Sequence, residues 1–137
     1  MNPTEQQVMA AADALIDAFG RHDRTAYFAA FAPEATFVFH HVDVPLGSRD
    51  AYERRWREWE RDDGFAIRAC ESRERAVQLV SGDAAIFTHA VRTTLRTQAG
   101  EACLDERETI VFARRGERWL AIHEHLSPLP GAAGGGA

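Results

Sequence analysis

The chain has 137 residues, of which 45% are hydrophobic and 27% charged, and its formal net charge is -5. This size suits one domain that buries its core without disulfides or a structural metal. An acidic chain with no basic run or interleaved aromatic stripe is not expected to bind nucleic acid. No apolar run is long enough to cross a bilayer and no signal pattern opens the chain, so we expect a cytoplasmic protein that does not bind membranes.

Two helices are predicted at the start of the chain. Between Thr4 and Gly20, apolar residues recur at the spacing of a single helix face, which indicates an amphipathic helix packed on a core. Asp23 is a typical N-cap for a short second helix, which carries Tyr27 and is closed by Pro33. Both predicted helices therefore precede the first strand.

The next predicted elements are a strand and a third helix. Residues 36–41 are aromatic or β-branched with two histidines, a composition that favours a strand. Ser48 can cap a helix over residues 49–61. Three aromatic residues of that helix share one face, namely Tyr52, Trp56 and Trp59. Such a stripe is typical of ordinary core, and the same side chains could also line a pocket.

Four consecutive strands are predicted in the second half, over residues 66–79, 84–96, 104–114 and 118–126. Short turn sequences separate them, which indicates an antiparallel meander. Helices followed by a meander indicate an α+β fold in which the helices cover one face of a curved sheet and leave a pocket between the layers. We assign one domain to residues 1–128 and a disordered tail to residues 129–137, which are mostly Pro, Gly and Ala.

The last predicted strand carries the first candidates for chemistry, because side chains alternate across a strand. One face would hold Trp119, Ala121, His123 and His125. The other would hold Leu120, Ile122, Leu126 and one charged residue, Glu124. We interpret the histidine face as a pocket wall and His123 as an acid or base, since imidazole titrates near neutral pH. A structural role for both histidines stays open. A metal site on the H-x-H pair also stays open, with His40, His41 or Asp43 as a further ligand.

Arg92 and Glu108 complete the predicted polar part of the pocket. Arg92 lies between apolar neighbours in the middle of a strand, and a buried guanidinium needs a carboxylate partner, either Glu108 or an acidic ligand. Glu108 has the parity to share the face of His123. An Arg92 that extends from the convex face into solvent fits the sequence equally well.

Several stretches resemble the nuclear transport factor 2-like superfamily, which includes ketosteroid isomerases, SnoaL-like polyketide cyclases and the association domain of calcium/calmodulin-dependent kinase. The similar stretches are residues 19–23, 31–37, 46–51, 108–109, 114–119 and 122–127. The resemblance implies a cone-shaped, cystatin-like α+β fold. It also implies a homodimer that binds a small carbonyl or acidic compound, with no cofactor or metal predicted.

The resemblance leaves two functions open. One is a SnoaL-like isomerase or cyclase that transfers a proton through His123. The other is a non-catalytic binding or assembly module similar to the kinase association domain. Ketosteroid isomerases use an Asp on the first strand and a Tyr on the first helix, but the matching positions here are Phe39 and Leu15, so that machinery is not expected.

The pocket and the dimer contact can both be assigned to residues. Beside the polar candidates, the predicted pocket wall consists of Tyr27, Phe39, His41, Trp56 and Trp59. The dimer would form through an apolar patch on the convex face of the sheet. That patch is predicted to contain Val111, Leu120, Ile122 and Leu126.

Overall fold

The computed structural model describes residues 1–130 and contains three helices and five strands in that range. The helices are α1 (Pro3–Gly20), α2 (Arg24–Ala29) and α3 (Arg49–Asp63). The strands are β1 (Phe31–Phe39), β2 (Ala66–Ser81), β3 (Ala84–Thr97), β4 (Gly100–Arg115) and β5 (Arg118–Pro128). They form one sheet in the order β1-β5-β4-β3-β2, in which β1 and β5 are parallel and the other neighbours antiparallel. The predicted α+β class is confirmed.

Local capping explains where the helices begin and end. α1 begins at a capping box, in which Asn2 Oδ1 accepts a hydrogen bond from the Glu5 amide at 2.8 Å and Glu5 Oε1 accepts one from the Asn2 amide at 2.9 Å. The Ser48 hydroxyl caps α3 as predicted, by accepting from the Ala51 amide at 3.1 Å. Gly64 adopts φ 64°, the left-handed conformation that ends α3.

β1 begins five residues earlier than the sequence predicts and includes Pro33. Proline lacks the amide proton of a ladder, and β1 tolerates it because the strand lies at the edge of the sheet. The pairing with β5 is irregular in the same region, since Phe31 pairs with Ala121 but Thr36 already pairs with His123. Residues 31–35 therefore connect α2 to the regular part of β1.

The helices pack on one face of the sheet and bury a mainly aromatic core. Its largest fully buried side chains are Trp56, Tyr27, Phe31, Phe37, Phe87, Phe112, Ile110 and Val8. Trp56 of α3 is completely buried, and its ring centroid lies 5.4 Å from that of Tyr27 in α2. The stripe on α3 therefore belongs to the core, and it fixes this helix against α2 through edge and tilted ring contacts, although the same side chains also line the cavity described below.

β5 contains a β-bulge. Phe112 and Val111 are adjacent on β4, yet they pair with Ala121 and His123 of β5, so Ile122 is an extra residue. An extra residue shifts the alternation of side chains by one position. Side chains after the bulge consequently face the side opposite to the one predicted from strict alternation.

The C-terminal end of the described chain stays attached to the sheet. Leu129, assigned to the tail from sequence, donates its amide proton to the Asp105 carbonyl oxygen at 3.2 Å. The rest of the predicted tail, residues 131–137, lies outside the described residues. Within residues 1–130, no helix combines the length and the apolar composition that a membrane crossing requires.

Candidate functional site

A cavity of about 300 Å³ lies between the helices and the inner face of the sheet. Its helix side is aromatic and apolar, and includes Phe19, Tyr27, Tyr52, Trp56, Trp59 and Phe65. The volume lies at the lower end of the range for small-molecule sites. A mostly apolar hollow with few polar groups is the usual form of such a site, so the position and charge of those groups determine what it can do.

Three carboxyl groups stand on the sheet side of the cavity, those of Glu106, Glu108 and Glu124. Glu106 and Glu108 are alternate residues of β4 and therefore share its inner face. Glu124 is opposite Ile110, the next inward position of β4, and lies diagonally beside Glu108. Glu106 and Glu124 are only 4% and 2% exposed, so their charged forms are strongly disfavoured by desolvation.

Glu108 and Glu124 form a hydrogen-bonded carboxyl pair. Burial raises the pKa of Glu108 to about 7, while a hydrogen bond from Glu124 opposes that rise. Burial and the adjacent charge of Glu108 raise the pKa of Glu124 well above its ordinary value. Two neighbouring carboxyls in an apolar site do not both ionise. Near neutral pH, Glu124 therefore stays protonated and its O–H donates a hydrogen bond to the carboxylate of Glu108. Glu108 is the member of the pair that ionises.

Two tyrosines extend the hydrogen bonds of this pair into the helix layer. The Tyr27 hydroxyl donates to Glu124 Oε1 at 3.3 Å and lies 3.0 Å from the Tyr52 hydroxyl. Burial, reinforced by the charge of Glu124, raises the pKa of both tyrosines well above the ordinary value. Both hydroxyls thus remain protonated donors beside the carboxyl pair.

His89 holds Glu108 from the side of β3. Its Nε2 lies 2.7 Å from Glu108 Oε1 and its Nδ1 lies 2.6 Å from the Ser72 hydroxyl. Burial, together with the charge of Arg75, lowers the pKa of His89 to about 4. The imidazole is consequently neutral at physiological pH, and its contact with Glu108 is a hydrogen bond and not an ion pair.

Glu106 has a separate partner, His40, whose Nε2 lies 2.5 Å from Glu106 Oε2. Burial raises the pKa of Glu106, and the hydrogen bond from His40 offsets part of that rise. His40 directly follows β1. This contact therefore fastens the segment after β1 to the inner face of β4.

The structure brings six of the predicted pocket residues into the cavity lining. They are Tyr27, Phe39, His41, Trp56, Trp59 and Glu108. Tyr27, Trp56 and Trp59 lie on helices, and Glu108 precedes the bulge on its strand pair, so helical spacing and parity place them without any long-range information. The other three candidates, Arg92, His123 and His125, are not part of the lining.

Arg92 extends from the outer face of the sheet, so its predicted place in the pocket is wrong. Its Nε and Nη2 lie 2.8 and 2.9 Å from the two carboxylate oxygens of Asp105, and 49% of its side chain is exposed. The inward residues of β3 in this region are Val91 and Thr93, both 4% exposed. An arginine between two inward neighbours must face outward, so the guanidinium pairs with Asp105 and not with Glu108.

His123 and His125 also face outward, and the cause is the bulge at Ile122. Trp119 and Ala121, before the bulge, face the core as predicted, but after it the inward position passes to Glu124. His123 Nδ1 instead lies 2.8 Å from the Thr36 hydroxyl on the neighbouring strand. The prediction that His123 acts as an acid or base inside the cavity is therefore wrong. The neighbouring residue Glu124 points into the cavity instead.

The metal alternative has no support from the arrangement of side chains. Within residues 1–130, no three His, Cys, Asp or Glu residues are grouped closely enough to hold a metal ion. The rings of His123 and His125 are 6.3 Å apart between centroids and nearly perpendicular. The residues that could carry chemistry are thus the carboxyl, tyrosine and imidazole groups of the cavity.

Helices that cover the inner face of a curved, unclosed sheet and enclose a cavity define a nuclear transport factor 2-like, or cystatin-like, α+β protein. The chain belongs to the SnoaL-like domain family, whose model matches residues 8–131. No curated protein sequence matches the chain.

Solved structures show the same fold at low sequence identity. A ketosteroid isomerase-like protein from Erwinia carotovora atroseptica is 20% identical, with a TM-score of 0.78 over 94% of this chain and 98% of that one. A candidate calcium/calmodulin-dependent protein kinase II association domain from Xanthomonas campestris is 22% identical, with a TM-score of 0.75 over 90% and 86%. A protein with a cystatin-like fold from Caulobacter vibrioides is 15% identical, with a TM-score of 0.77 over 98% and 96%. These similarities establish the fold alone.

Proposed function

We propose that the cavity binds a small neutral carbonyl compound and transfers a proton at the carbon next to the carbonyl group. The observation that carries this proposal is the carboxyl pair of Glu108 and Glu124 in an apolar cavity. A general base is most effective when its pKa lies near the working pH, and burial raises the pKa of Glu108 to about 7. The name of the ketosteroid isomerase-like neighbour supports the same reaction class.

In the proposed reaction, Glu108 is the general base and Glu124 is a hydrogen-bond donor to the oxygen of the ligand. Glu108 accepts the proton from the α-carbon, the C–H electron pair forms the carbon–carbon double bond, and the carbonyl π electrons move to oxygen. The Glu124 and Tyr52 hydroxyls are neutral donors that can turn towards this oxyanion. The protonated Glu108 can return this proton to another carbon, which gives isomerisation. It can also first trade the proton for one from solvent and return that one to the same carbon, which gives exchange, and neither outcome needs a co-reactant.

The charge of the lining favours a neutral ligand over an anionic one. The lining contains four carboxyl side chains, the three on the sheet and that of Asp63, but only one guanidinium, that of Arg55. An acidic ligand was expected on the assumption that Arg92 lines the pocket, and Arg92 faces the other way. A carboxylate ligand would meet like charges in a poorly hydrated site, which costs binding free energy.

Solvent exchange tests this function without knowledge of the natural substrate. In D₂O, we expect the protein to accelerate deuterium incorporation at the α-carbons of small cyclic ketones, such as cyclohex-3-en-1-one, as followed by proton NMR. A keto acid of similar size, 4-oxocyclohexanecarboxylate, is expected to exchange no faster than in buffer. Heat-denatured protein is the blank. Ketone exchange equal to the blank would contradict the proposal and favour the non-catalytic module, and faster exchange of the keto acid would contradict the proposed charge preference.

We also propose that the protein is a homodimer that associates through the outer face of the sheet. Val111 and Leu120 lie half-buried on that face, whereas Leu126, predicted for the same patch, lines the cavity. Light scattering should give a molar mass of twice 15.3 kDa. Leu120→Asp should lower that mass, while Val80→Asp, at an exposed site on β2, should not. A wild-type mass of one chain would overturn the dimer. The cytoplasmic location stays a prediction.

A further inference from the structure

A continuous hydrogen-bonded path leads from the cavity to a second cleft on the protein. Glu108 is in the lining of the cavity, and Ser72 is in the lining of the second cleft, with Asp13, Asp17 and Arg21. His89 lies between them and contacts both, through Nε2 to Glu108 at 2.7 Å and through Nδ1 to Ser72 at 2.6 Å. Ile16 and Cys70 line both hollows, so the cavity and the cleft are neighbours on the helix-covered face of the sheet, and the imidazole connects them through hydrogen bonds.

A neutral imidazole with these two partners has two hydrogen-bonding arrangements. When Glu108 is ionised, Nε2–H donates to its carboxylate, and Nδ1 accepts from the Ser72 hydroxyl. When Glu108 is protonated, its O–H donates to Nε2, and Nδ1–H donates to the Ser72 oxygen. Either arrangement leaves all three groups satisfied, because a hydroxyl can both donate and accept.

Conversion of the second arrangement into the first moves one proton out of the cavity. The Glu108 proton passes to Nε2, the Nδ1 proton passes to the Ser72 oxygen, and the proton that Ser72 carried leaves to water in the cleft. One proton enters the path and one leaves it, so no protonated imidazole accumulates. The reverse sequence delivers a proton to Glu108.

The groups around His89 favour its neutral form. On β2, Arg75 places a positive charge near the ring and disfavours a protonated imidazole, and Arg75 is itself paired with Asp13 of α1. Glu108 on β4 and Glu124 on β5 face the ring from the cavity side, and the shared proton reduces their combined negative charge. The ring also packs against Phe87, 4.9 Å away between centroids, and the His89 side chain is fully buried, which disfavours its charged form.

We propose that His89 relays protons between Glu108 in the cavity and Ser72 in the second cleft. This inference rests on the proposed function, because a relay is needed when a bound ligand fills the cavity and separates the carboxyl pair from solvent. His89 is then a positioning residue that also restores the protonation state of Glu108 between turnovers.

The relay predicts a change of histidine tautomer that NMR detects without any substrate. Long-range proton–nitrogen spectra of ¹⁵N-labelled protein show which ring nitrogen carries the proton, and loss of one set of signals in His89→Gln assigns the residue. We expect a neutral His89 at about pH 6 to 9, with the proton on Nδ1 at the acidic end and on Nε2 at the basic end. Glu108→Gln should abolish the change, while Glu71→Gln, on an exposed residue of β2, should leave it intact.

Ser72→Ala supplies a second, independent variant. Loss of the hydroxyl removes the acceptor of Nδ1–H, so the tautomer change should move to lower pH. A single tautomer over the whole range in wild type, or a protonated imidazole near pH 7, would overturn the relay. This result is separable from the proposed function, since a tautomer change without ketone exchange would leave the path intact in a protein that is not an enzyme.

Discussion

Glu108→Gln is expected to slow α-proton exchange of a neutral cyclic ketone by at least about 100-fold. Glutamine has the shape of glutamate but cannot accept a proton near neutral pH, so the variant removes the proposed base and little else. The neighbours of Glu108, His89 and Glu124, keep a hydrogen-bonding partner in the amide. The measurement is the NMR rate of deuterium incorporation, with the circular dichroism spectrum as the check that the variant folds.

Two further variants make this result specific. Glu124→Gln should cause a smaller loss than Glu108→Gln, because an amide nitrogen still donates to Glu108 but is a weaker acid than a carboxyl group. His123→Ala should exchange at the wild-type rate, because His123 lies on the outer face and contacts Thr36. The opposite pattern, an active Glu108→Gln and an inactive His123→Ala, would place the chemistry on the outer face and exclude the carboxyl pair.

The helices of this protein are readable from its sequence because their determinants are local. Ser48 caps α3 within three residues of the amide that it serves, and the periodicity of α1 needs no partner strand. The same holds for the order of the four meander strands, whose turns are short. Local patterns are less reliable at the start of β1. Pro33 predicts that no strand begins before it, but Phe31 already pairs with Ala121 of β5.

The polar site could be predicted only in part, because the bulge in β5 depends on pairing with β4. Strict alternation placed His123 inside and Glu124 outside, and nothing in the residue types of β5 marks Ile122 as an extra residue. One signal was present: Glu124 was the only charged member of a face that otherwise contained leucine and isoleucine. A lone charge in an apolar alternation is as consistent with a buried acid as with an exposed side chain.

Two more groups of the cavity were missed, although their strands are regular. Glu106 stands two residues before Glu108 and so has the same parity, and His89 lies two residues from Phe87 and from Val91 on β3. Parity places all of them inside as soon as one inward residue of each strand is known. The sequence does not show how far along the sheet each inward residue lies. That position determines whether its side chain packs in the core or lines the cavity.

The stability of wild type is expected to fall as pH rises from about 4.5 to above 7, relative to Glu108→Gln. Burial raises the pKa of Glu108 from 4.5 to about 7, so between these values the folded state binds more protons than the unfolded state. The free energy of unfolding therefore decreases with rising pH. The stabilisation is fully present below about pH 4.5 and lost through about pH 7, a total of about 3 kcal/mol. Glutamine does not titrate, so the variant lacks this loss.

His89 titrates in the opposite sense and determines how the experiment is read. Its pKa falls from 6.5 to about 4, so its contribution to stability is present above about pH 6.5 and lost as pH falls towards 4. Above pH 6.5 His89 is neutral in both proteins, and wild type should still lose about 1 kcal/mol relative to Glu108→Gln by about pH 8.5. Urea unfolding at several pH values measures the difference, and exposed Glu71→Gln is the matched control. A difference that stays constant with pH would mean that Glu108 is ionised throughout, and the acid–base role of the carboxyl pair would fail with it.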